Sequence, residues 1–194
     1  PIETELAKGT PEAREMLGSL MQLAKDEKIW ALGHPEDIGG GGMPFMDYVY
    51  INEVIGRSPY ANVGLGTVSL QDSIMLREFA SDHWREKYLQ PLVKGEIFPS
   101  FGMTEPEVAS SDPTQLQTTA ILDKGMWKIN GRKWFTTGAS RAAYTTVMCK
   151  TELDASSHGA FSMIIVPTDN PGYKIIRETP VLGINGGHYE VEYD

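Results

Sequence analysis

The chain has 194 residues, of which 41% are hydrophobic, and a formal net charge of -9. This composition supports a packed core and argues against intrinsic disorder, and the negative charge argues against nucleic acid or an anionic membrane surface as a general partner. A single cysteine, Cys149, excludes an intrachain disulfide and a thiolate metal cluster, and no apolar run approaches the roughly 20 residues of a membrane span.

The first half of the chain has the residue spacing of helices. Thr10, followed by Pro11 and Glu12, combines a side-chain acceptor, a preset φ angle and a carboxylate near the positive end of the helix dipole. Apolar residues at three- and four-residue spacing then extend the pattern towards Trp30. We therefore predict a helix that begins just after Thr10.

Three further helices are predicted before the middle of the chain. The second runs from about residue 44 to 55 and ends at a glycine. The third covers roughly 61–79 and is weakened by two internal glycines. Ser81 is predicted to cap the fourth, which continues to Tyr88 and ends before Pro91.

The second half changes to short segments rich in β-branched and aromatic residues. Segments 115–122 and 126–129 flank a three-residue turn, which predicts a hairpin. Asn130-Gly131 is predicted to form another turn, leading into a strand over 132–137. Four more strands are predicted, over 143–150, 160–166, 173–177 and 188–193. Cys149 falls within one of them and is expected to be buried and inert.

These patterns predict an α+β protein with two domains. An N-terminal helical domain covers 1–97, and an antiparallel β-barrel or sandwich covers 98–194. Both ends of the chain are interpreted as the edges of a fragment. Glycines 39–42 lack the preceding strand and the following lysine of a phosphate-binding loop, so a flexible connection is predicted there. The sequence has four histidines, His34, His83, His158 and His188. Because none of them is at a spacing that metal ligands use, we expect them on loops or helix ends.

Two polar stretches of the second half are candidates for a binding site. Residues 101–112 leave a strand for a turn that offers backbone N–H groups and the hydroxyls of Thr104, Ser110 and Ser111. Such donors suit a ligand rich in acceptors, for example a flavin ring or a pyrophosphate. An ordinary Asx or Ser turn is the alternative interpretation.

The second stretch is 130–138, where Trp134 and Thr136 are predicted to share one face of a strand. An indole beside a hydroxyl donor can stack on a planar ring and form a hydrogen bond with its edge. A half-buried tryptophan in the wall of a barrel is the alternative.

Together these stretches resemble the acyl-CoA dehydrogenase family. Met103-Thr-Glu-Pro106 with Ser111-Asp112, followed by Ile129-Asn-Gly-Arg-Lys-Trp134 and Thr136, has the order and spacing of that family's motifs. Further similarities lie at 53–59, 84–95 and 186–193, so that the resemblance covers nearly the whole chain. The additional residue in 107–111 resembles the branch of acyl-CoA dehydrogenase members 10 and 11.

The resemblance implies an FAD site in the β-domain and an acyl-CoA site beside it. The implied flavin-binding residues are Phe101, Gly102, Met103, Thr104, Ser110, Ser111, Trp134, Phe135 and Thr136. Ser111 is expected to contact the acyl-CoA, and Ser110 is the substitute because the additional residue leaves the register open. The family's catalytic base belongs to a C-terminal helical bundle that these residues do not include, so no catalytic residue is assigned.

The implied reaction is FAD-dependent α,β-dehydrogenation of an acyl-CoA to a trans-2-enoyl-CoA. A hydride passes to flavin N5, and an electron-transfer flavoprotein receives the electrons. The resemblance also implies a homo-oligomer in the full-length protein, and a cytoplasmic location in a bacterium or a mitochondrial or peroxisomal one in a eukaryote. Two alternatives stay open: an acyl-CoA oxidase or flavin monooxygenase of the same fold, and a non-catalytic module that binds a partner.

Overall fold

A computed structural model describes residues 2–153, 155, 159–183 and 186–194 of the chain. The chain divides into two compact units, the first ending at Ile97 and the second beginning at Phe98. The first unit is helical and the second is a curled β-sheet, which confirms the predicted α+β fold class. Within the described residues, no helix is both long enough and apolar enough to cross a membrane.

The helical unit begins with a short helix that the sequence did not predict, and the predicted ones follow it. The helices are α1 (Ile2–Leu6), α2 (Pro11–Asp26), α3 (Phe45–Ile55), α4 (Ala61–Gly64), α5 (Leu70–Phe79), α6 (Asp82–Trp84) and α7 (Gln90–Val93), with a 3₁₀ turn at Glu36–Ile38. The N-cap of α2 is confirmed, because the Thr10 hydroxyl accepts a hydrogen bond from the Ala13 N–H at 3.3 Å.

Two helix predictions were wrong in extent. The segment between α4 and α5 breaks the predicted third helix, because Gly66 has φ +70° and packs so closely on the Trp30 ring that a Cβ would collide with it. The fourth helix continues past Pro91, and the Ser81 side chain forms no capping hydrogen bond. A π-helical stretch, Arg85–Leu89, joins α6 to α7, and its wider turn precedes the proline that cannot donate a backbone hydrogen bond.

The β unit has strands at all the predicted segments, although the predicted 126–129 and 132–137 form one strand and the segment predicted from residue 115 begins at Thr119. The strands are β1 (Pro99–Gly102), β2 (Thr119–Asp123), β3 (Met126–Thr137), β4 (Tyr144–Lys150), β5 (Phe161–Pro167), β6 (Tyr173–Glu178) and β7 (His188–Tyr193). Their order is β1-β4-β2-β3-β7-β6, with β5 paired to β4. β1 and β2 run parallel to β4, and the other ladders are antiparallel.

One turn of the β unit is confirmed and one is not. Lys124 and Gly125 both have positive φ, as a tight hairpin between β2 and β3 requires. Asn130-Gly131 forms no turn, because β3 runs without a break from Met126 to Thr137. Gly131 is instead a point of close approach, where a Cβ would overlap the Thr118 side chain.

The core of the β unit is apolar and includes the only cysteine of the sequence. Cys149 has no exposed surface and packs with Val147 and Val191. Burial raises the pKa of its thiol to about 11. The thiol is therefore protonated at neutral pH, in agreement with the predicted inert role.

Candidate functional site

The structure brings the two candidate stretches into direct contact. The backbone N–H of Trp134 donates to the Thr104 carbonyl oxygen at 2.9 Å, and the Thr104 hydroxyl donates to the Trp134 carbonyl oxygen at 2.8 Å. This reciprocal pair fixes the backbone that follows β1 against the middle of β3. The result is a single surface built from two segments that are 30 residues apart in sequence.

A β-bulge lies in the pairing of β3 with β7 within this surface. Lys133 pairs with Val191, and Thr136 pairs with Tyr189, so the stretch of β3 has one more residue than the stretch of β7 opposite it. Phe135 takes up the difference with φ 49°, a left-handed conformation that costs a non-glycine residue about 1–3 kcal/mol.

The bulge corrects the prediction that Trp134 and Thr136 share a face through regular alternation. The two fully buried residues of this stretch are Lys133 and Thr136, three positions apart. Trp134 is half-buried and Phe135 is 42% exposed. Their rings lie 4.7 Å apart at 52°, so they form one aromatic patch.

Thr136 has an unsatisfied hydroxyl. Its side chain is fully buried, and no hydrogen-bond partner for Oγ1 lies among the described residues. Such a group costs about 1–3 kcal/mol, and unsatisfied hydroxyls are uncommon in native proteins unless a ligand or water completes them. The hydroxyl is closed to solvent, so a ligand reaches it only after the side chain changes rotamer or its cover shifts.

A buried ion pair lies behind the contact between the two segments. The Lys133 ammonium donates to the Met103 carbonyl oxygen and to Glu105 Oε1, both at 2.8 Å. The Glu105 carboxylate also accepts the N–H groups of Gln117 at 2.7 Å and Thr118 at 2.9 Å. The side chains of Lys133 and Glu105 are 0% and 3% exposed, respectively.

The pKa values of this pair reflect two opposing influences. Burial alone would raise the pKa of Glu105, but its hydrogen bonds from Lys133, Thr118 and Gln117 outweigh that and lower it. Burial lowers the pKa of Lys133, and the Glu105 contact opposes this only in part. We take both groups as charged at neutral pH, because a carboxylate with three donors is ionised and its charge keeps the proton on the lysine.

Sequence reasoning missed Lys133 and assigned Glu105 no role beyond membership of the loop. A lysine in a strand can be predicted to be buried only when it is known which face of the strand points into the core. The bulge at Phe135 hides that face from a two-residue period. The partners of Glu105 at 117 and 118 carry no local signal at all.

The serines of the loop have different surroundings. The Ser110 hydroxyl accepts from the Glu105 N–H at 2.8 Å and can donate to the carbonyl oxygens of Glu105 or Val108, each at 3.2 Å. Ser111 is exposed. The Asp112 carboxylate accepts from the Thr114 N–H at 3.0 Å. Ser110 and Asp112 thus form the ordinary turn contacts of the alternative interpretation, whereas Ser111 faces solvent.

The start of the loop is held by close packing. Phe101 and Gly102 end β1, and Gly102 pairs with Val147 of β4. A Cβ at Gly102 would lie 3.0 Å from the Tyr193 hydroxyl oxygen. The residue before Met103 therefore has little room for a side chain.

Of the described histidines, His34 departs from prediction, and His188 begins β7 beside the aromatic patch, with its ring centroid 6.4 Å from that of Phe135. His34 was expected in solvent but is 1% exposed, and its Nε2 lies 3.1 Å from the Ser69 hydroxyl. Burial lowers its pKa. His83 is exposed, His188 Nδ1 lies 2.9 Å from the Thr137 hydroxyl, and His158 is outside the described residues. The described part of the chain contains no group of three or more His, Cys, Asp or Glu residues that could hold a metal ion.

Comparison with known proteins identifies both units. The profile of the acyl-CoA dehydrogenase N-terminal domain matches residues 2–96, and that of the acyl-CoA dehydrogenase middle domain matches residues 100–194. FadE2 of Mycobacterium tuberculosis, named a probable acyl-CoA dehydrogenase, is 37% identical over 188 residues, which are 93% of this chain and 46% of FadE2.

Two further similarities agree. Acyl-CoA dehydrogenase family member 10 of Mus musculus is 32% identical over 210 residues, covering 100% of this chain and 20% of that protein. A structure from Mycobacterium abscessus, provisionally assigned as an acyl-CoA dehydrogenase, superposes with a TM-score of 0.87 and 34% identity over 92% of this chain and 46% of its own. The chain spans less than half the length of each of these proteins.

Proposed function

This chain belongs to the acyl-CoA dehydrogenase family, and from that premise we propose that its β unit holds the flavin of an enzyme that dehydrogenates acyl-CoA thioesters. The observation that carries the proposal is the reciprocal hydrogen bonding of Thr104 and Trp134, which joins the two family motifs into one surface. When bound, FAD would supply the electron acceptor, since a hydride from the substrate β-carbon passes to its N5 and leaves a trans-2-enoyl-CoA.

The residues of this surface suit a planar ring that gains electron density. Trp134 and Phe135 offer an aromatic patch for stacking. Thr136 offers a hydroxyl that has no partner among the described residues. Once FAD is bound and the Thr136 side chain has turned towards it, this hydroxyl would stabilise the negative charge that develops on reduction.

We propose separate roles for the two loop serines. Ser110 positions the loop through its hydrogen bonds with Glu105 and Val108. Ser111, which is exposed, is the residue that contacts the acyl-CoA. A substitution at Ser111 should therefore raise KM for the acyl-CoA, whereas one at Ser110 should weaken FAD binding.

The remaining parts of the reaction lie outside these residues. Removal of the α-proton needs a carboxylate within hydrogen-bond reach of it, and we assign no carboxylate of this chain to that role, since Glu105 is buried against Lys133. We propose that the base belongs to another part of the complete protein, that the 194 residues alone are inactive, and that electrons leave to an electron-transfer flavoprotein.

The function is tested by titrating the complete apoprotein with FAD and then adding an acyl-CoA under anaerobic conditions. We expect saturable FAD binding and loss of the visible flavin absorbance on addition of the acyl-CoA. Reoxidation by an electron-transfer flavoprotein supports a dehydrogenase, whereas fast reoxidation by oxygen with release of peroxide would indicate an oxidase. Failure to bind FAD would refute the proposal.

A pair of threonine variants separates the flavin role from stability. Thr136→Val removes an unsatisfied hydroxyl, so we expect an unchanged or higher free energy of unfolding but roughly tenfold weaker FAD binding. Thr145→Val removes a buried hydroxyl that lies 3.0 Å from the Tyr173 hydroxyl, so it should cost about 1 kcal/mol of stability and leave FAD binding unchanged. Equal FAD affinity in the two variants would contradict the role of Thr136.

A further inference from the structure

The buried lysine of β3 holds one particular peptide group of the flavin loop. Lys133 Nζ lies 2.8 Å from the Met103 carbonyl oxygen and has no exposed side-chain surface. A charge-assisted hydrogen bond in such an environment is stronger than a neutral one and fixes the direction of the carbonyl. The Met103 carbonyl therefore points into the β unit.

The direction of this carbonyl determines where the next N–H points. The peptide bond between Met103 and Thr104 is trans, since the chain has no cis peptide among the described residues. In a trans peptide the C=O and the N–H point in opposite directions. The Thr104 N–H is thus directed away from Lys133, while the Thr104 carbonyl and hydroxyl are both occupied by Trp134.

We infer that Lys133 is a positioning residue for the cofactor: it turns the Met103–Thr104 peptide so that the Thr104 N–H faces the acceptor edge of the flavin ring. This inference rests on the proposed flavin site and names a residue that acts through another group. Lys133 itself has no exposed side-chain surface, so it acts through this peptide group and not by direct contact with the cofactor.

Glu105 has a different task from Lys133, although the two form one ion pair. Its carboxylate binds Lys133 and the N–H groups of Gln117 and Thr118. It neutralises the buried ammonium and anchors the segment before β2. Lys133, and not Glu105, donates to the Met103 carbonyl, so variants can separate stability from positioning.

Three variants of the complete protein test the inference: Glu105→Gln, Lys133→Met and the double variant. In Glu105→Gln, Lys133 still donates to the Met103 carbonyl. We therefore expect the FAD dissociation constant of this variant to stay within about twofold of the parent value, although its stability is lower. Lys133→Met frees the carbonyl, and we expect FAD binding weaker by roughly tenfold or more together with a shifted visible flavin spectrum. The double variant removes both charges and leaves no unpaired buried ion, so it tests the loss of the Lys133 donor even where Lys133→Met fails to fold. We expect it to bind FAD more weakly than the parent by roughly tenfold or more.

The pattern across the variants decides the outcome. FAD affinity that falls whenever Lys133 is replaced, and not when Glu105 alone is replaced, supports positioning. Affinity that follows melting temperature across all three variants overturns it, as does an unchanged dissociation constant and spectrum in either Lys133 variant. A parent protein that binds no FAD refutes the proposed function itself, so the two failures are distinct.

Discussion

Two loops of this protein enclose a buried polar side chain, and they do so by opposite means. The loop at 39–42 consists of glycines, and its amides are used internally: the N–H groups of Gly40, Gly41 and Gly42 donate to carbonyl oxygens of residues 35, 31 and 34 at 3.0, 3.0 and 2.9 Å. The loop at 101–112 contains one glycine, packs around the Glu105–Lys133 pair, and is held by side chains, chiefly those of Lys133, Thr104 and Ser110.

The comparison shows that glycine content reports close packing more directly than ligand binding. The glycine run packs on His34 so tightly that a Cβ at Gly40 would overlap it, and it leaves these three amides no role towards an outside ligand. In the second loop, Lys133 holds one carbonyl, that of Met103, inward, so that the N–H of Thr104 is directed away from the lysine. Its polar centre is charged, whereas that of the first loop is a neutral histidine, so the two should respond differently to mutation and pH.

The largest effect on stability is expected for Glu105→Gln. The amide places an N–H₂ group against a backbone N–H and leaves the Lys133 ammonium without its counter-ion, which should lower the free energy of unfolding by about 3 kcal/mol. Denaturant unfolding, monitored with a spectroscopic probe in the β unit, measures this loss of stability. Glu107→Gln is the matched control, because its exposed pairing with Arg132 at 3.6 Å should contribute less than about 0.5 kcal/mol. Similar losses in the two variants would contradict the role assigned to the buried pair.

The same variant has a defined pH signature. The pKa of Glu105 is lowered in the folded state from its ordinary value of 4.5, so the unfolded state binds more protons as the pH falls. The stability from this group is fully present above pH 4.5 and is lost as the pH falls through the folded pKa. Below pH 4.5 the parent should lose stability more steeply than Glu105→Gln.

The next largest effect is expected in the glycine loop. Gly40→Ala forces a Cβ into the backbone and side chain of His34, which should cost about 2 kcal/mol, since backbone there cannot move aside cheaply. Gly18→Ala in α2 is the control, because nothing lies within 4 Å of the added Cβ and alanine favours a helix by about 0.5–1 kcal/mol. A stable Gly40→Ala protein would show that this loop is as loose as its composition suggests.

The smallest effect concerns His34, and it is clearest as a pH dependence. Burial lowers its pKa from 6.5, so the folded state favours the neutral ring and the unfolded state takes up the proton first. Stability is therefore fully present above pH 6.5 and is lost as the pH falls from there towards the folded pKa. His34→Gln, which can still pair with Ser69, should cost about 1 kcal/mol at neutral pH and flatten this dependence. If the free energy of unfolding of the parent did not change with pH in this range, protonation of His34 in the folded state would carry no energetic cost.

Local signals in the sequence predicted much of the fold. The Thr10 cap, the strand segments and the hairpin at Lys124-Gly125 each depend on neighbouring residues, and each is present in the structure. The features that were missed depend on partners far along the chain. The local sequence predicts a turn at Gly131, but in the structure Gly131 packs closely against Thr118. The local sequence likewise predicts an exposed His34, but in the structure His34 lies in hydrogen-bond contact with Ser69.

The candidate site divides in the same way. The order and spacing of the motifs pointed to the segments around Thr104 and Trp134, and the structure places these segments in contact. The bulge at Phe135 follows from the pairing of β3 with β7, 50 or more positions away, and it decides that Lys133 and Thr136 share the interior. A period of two cannot reveal that arrangement, because the additional residue shifts every later side chain to the other face.

An experimental structure of the complete protein with FAD tests the central claim most directly. We predict that the isoalloxazine ring lies against Trp134 and Phe135, with the Thr136 hydroxyl and the Thr104 N–H in hydrogen-bond contact with its edge. A flavin bound elsewhere, with Trp134 and the 101–111 loop bare of cofactor, would contradict it.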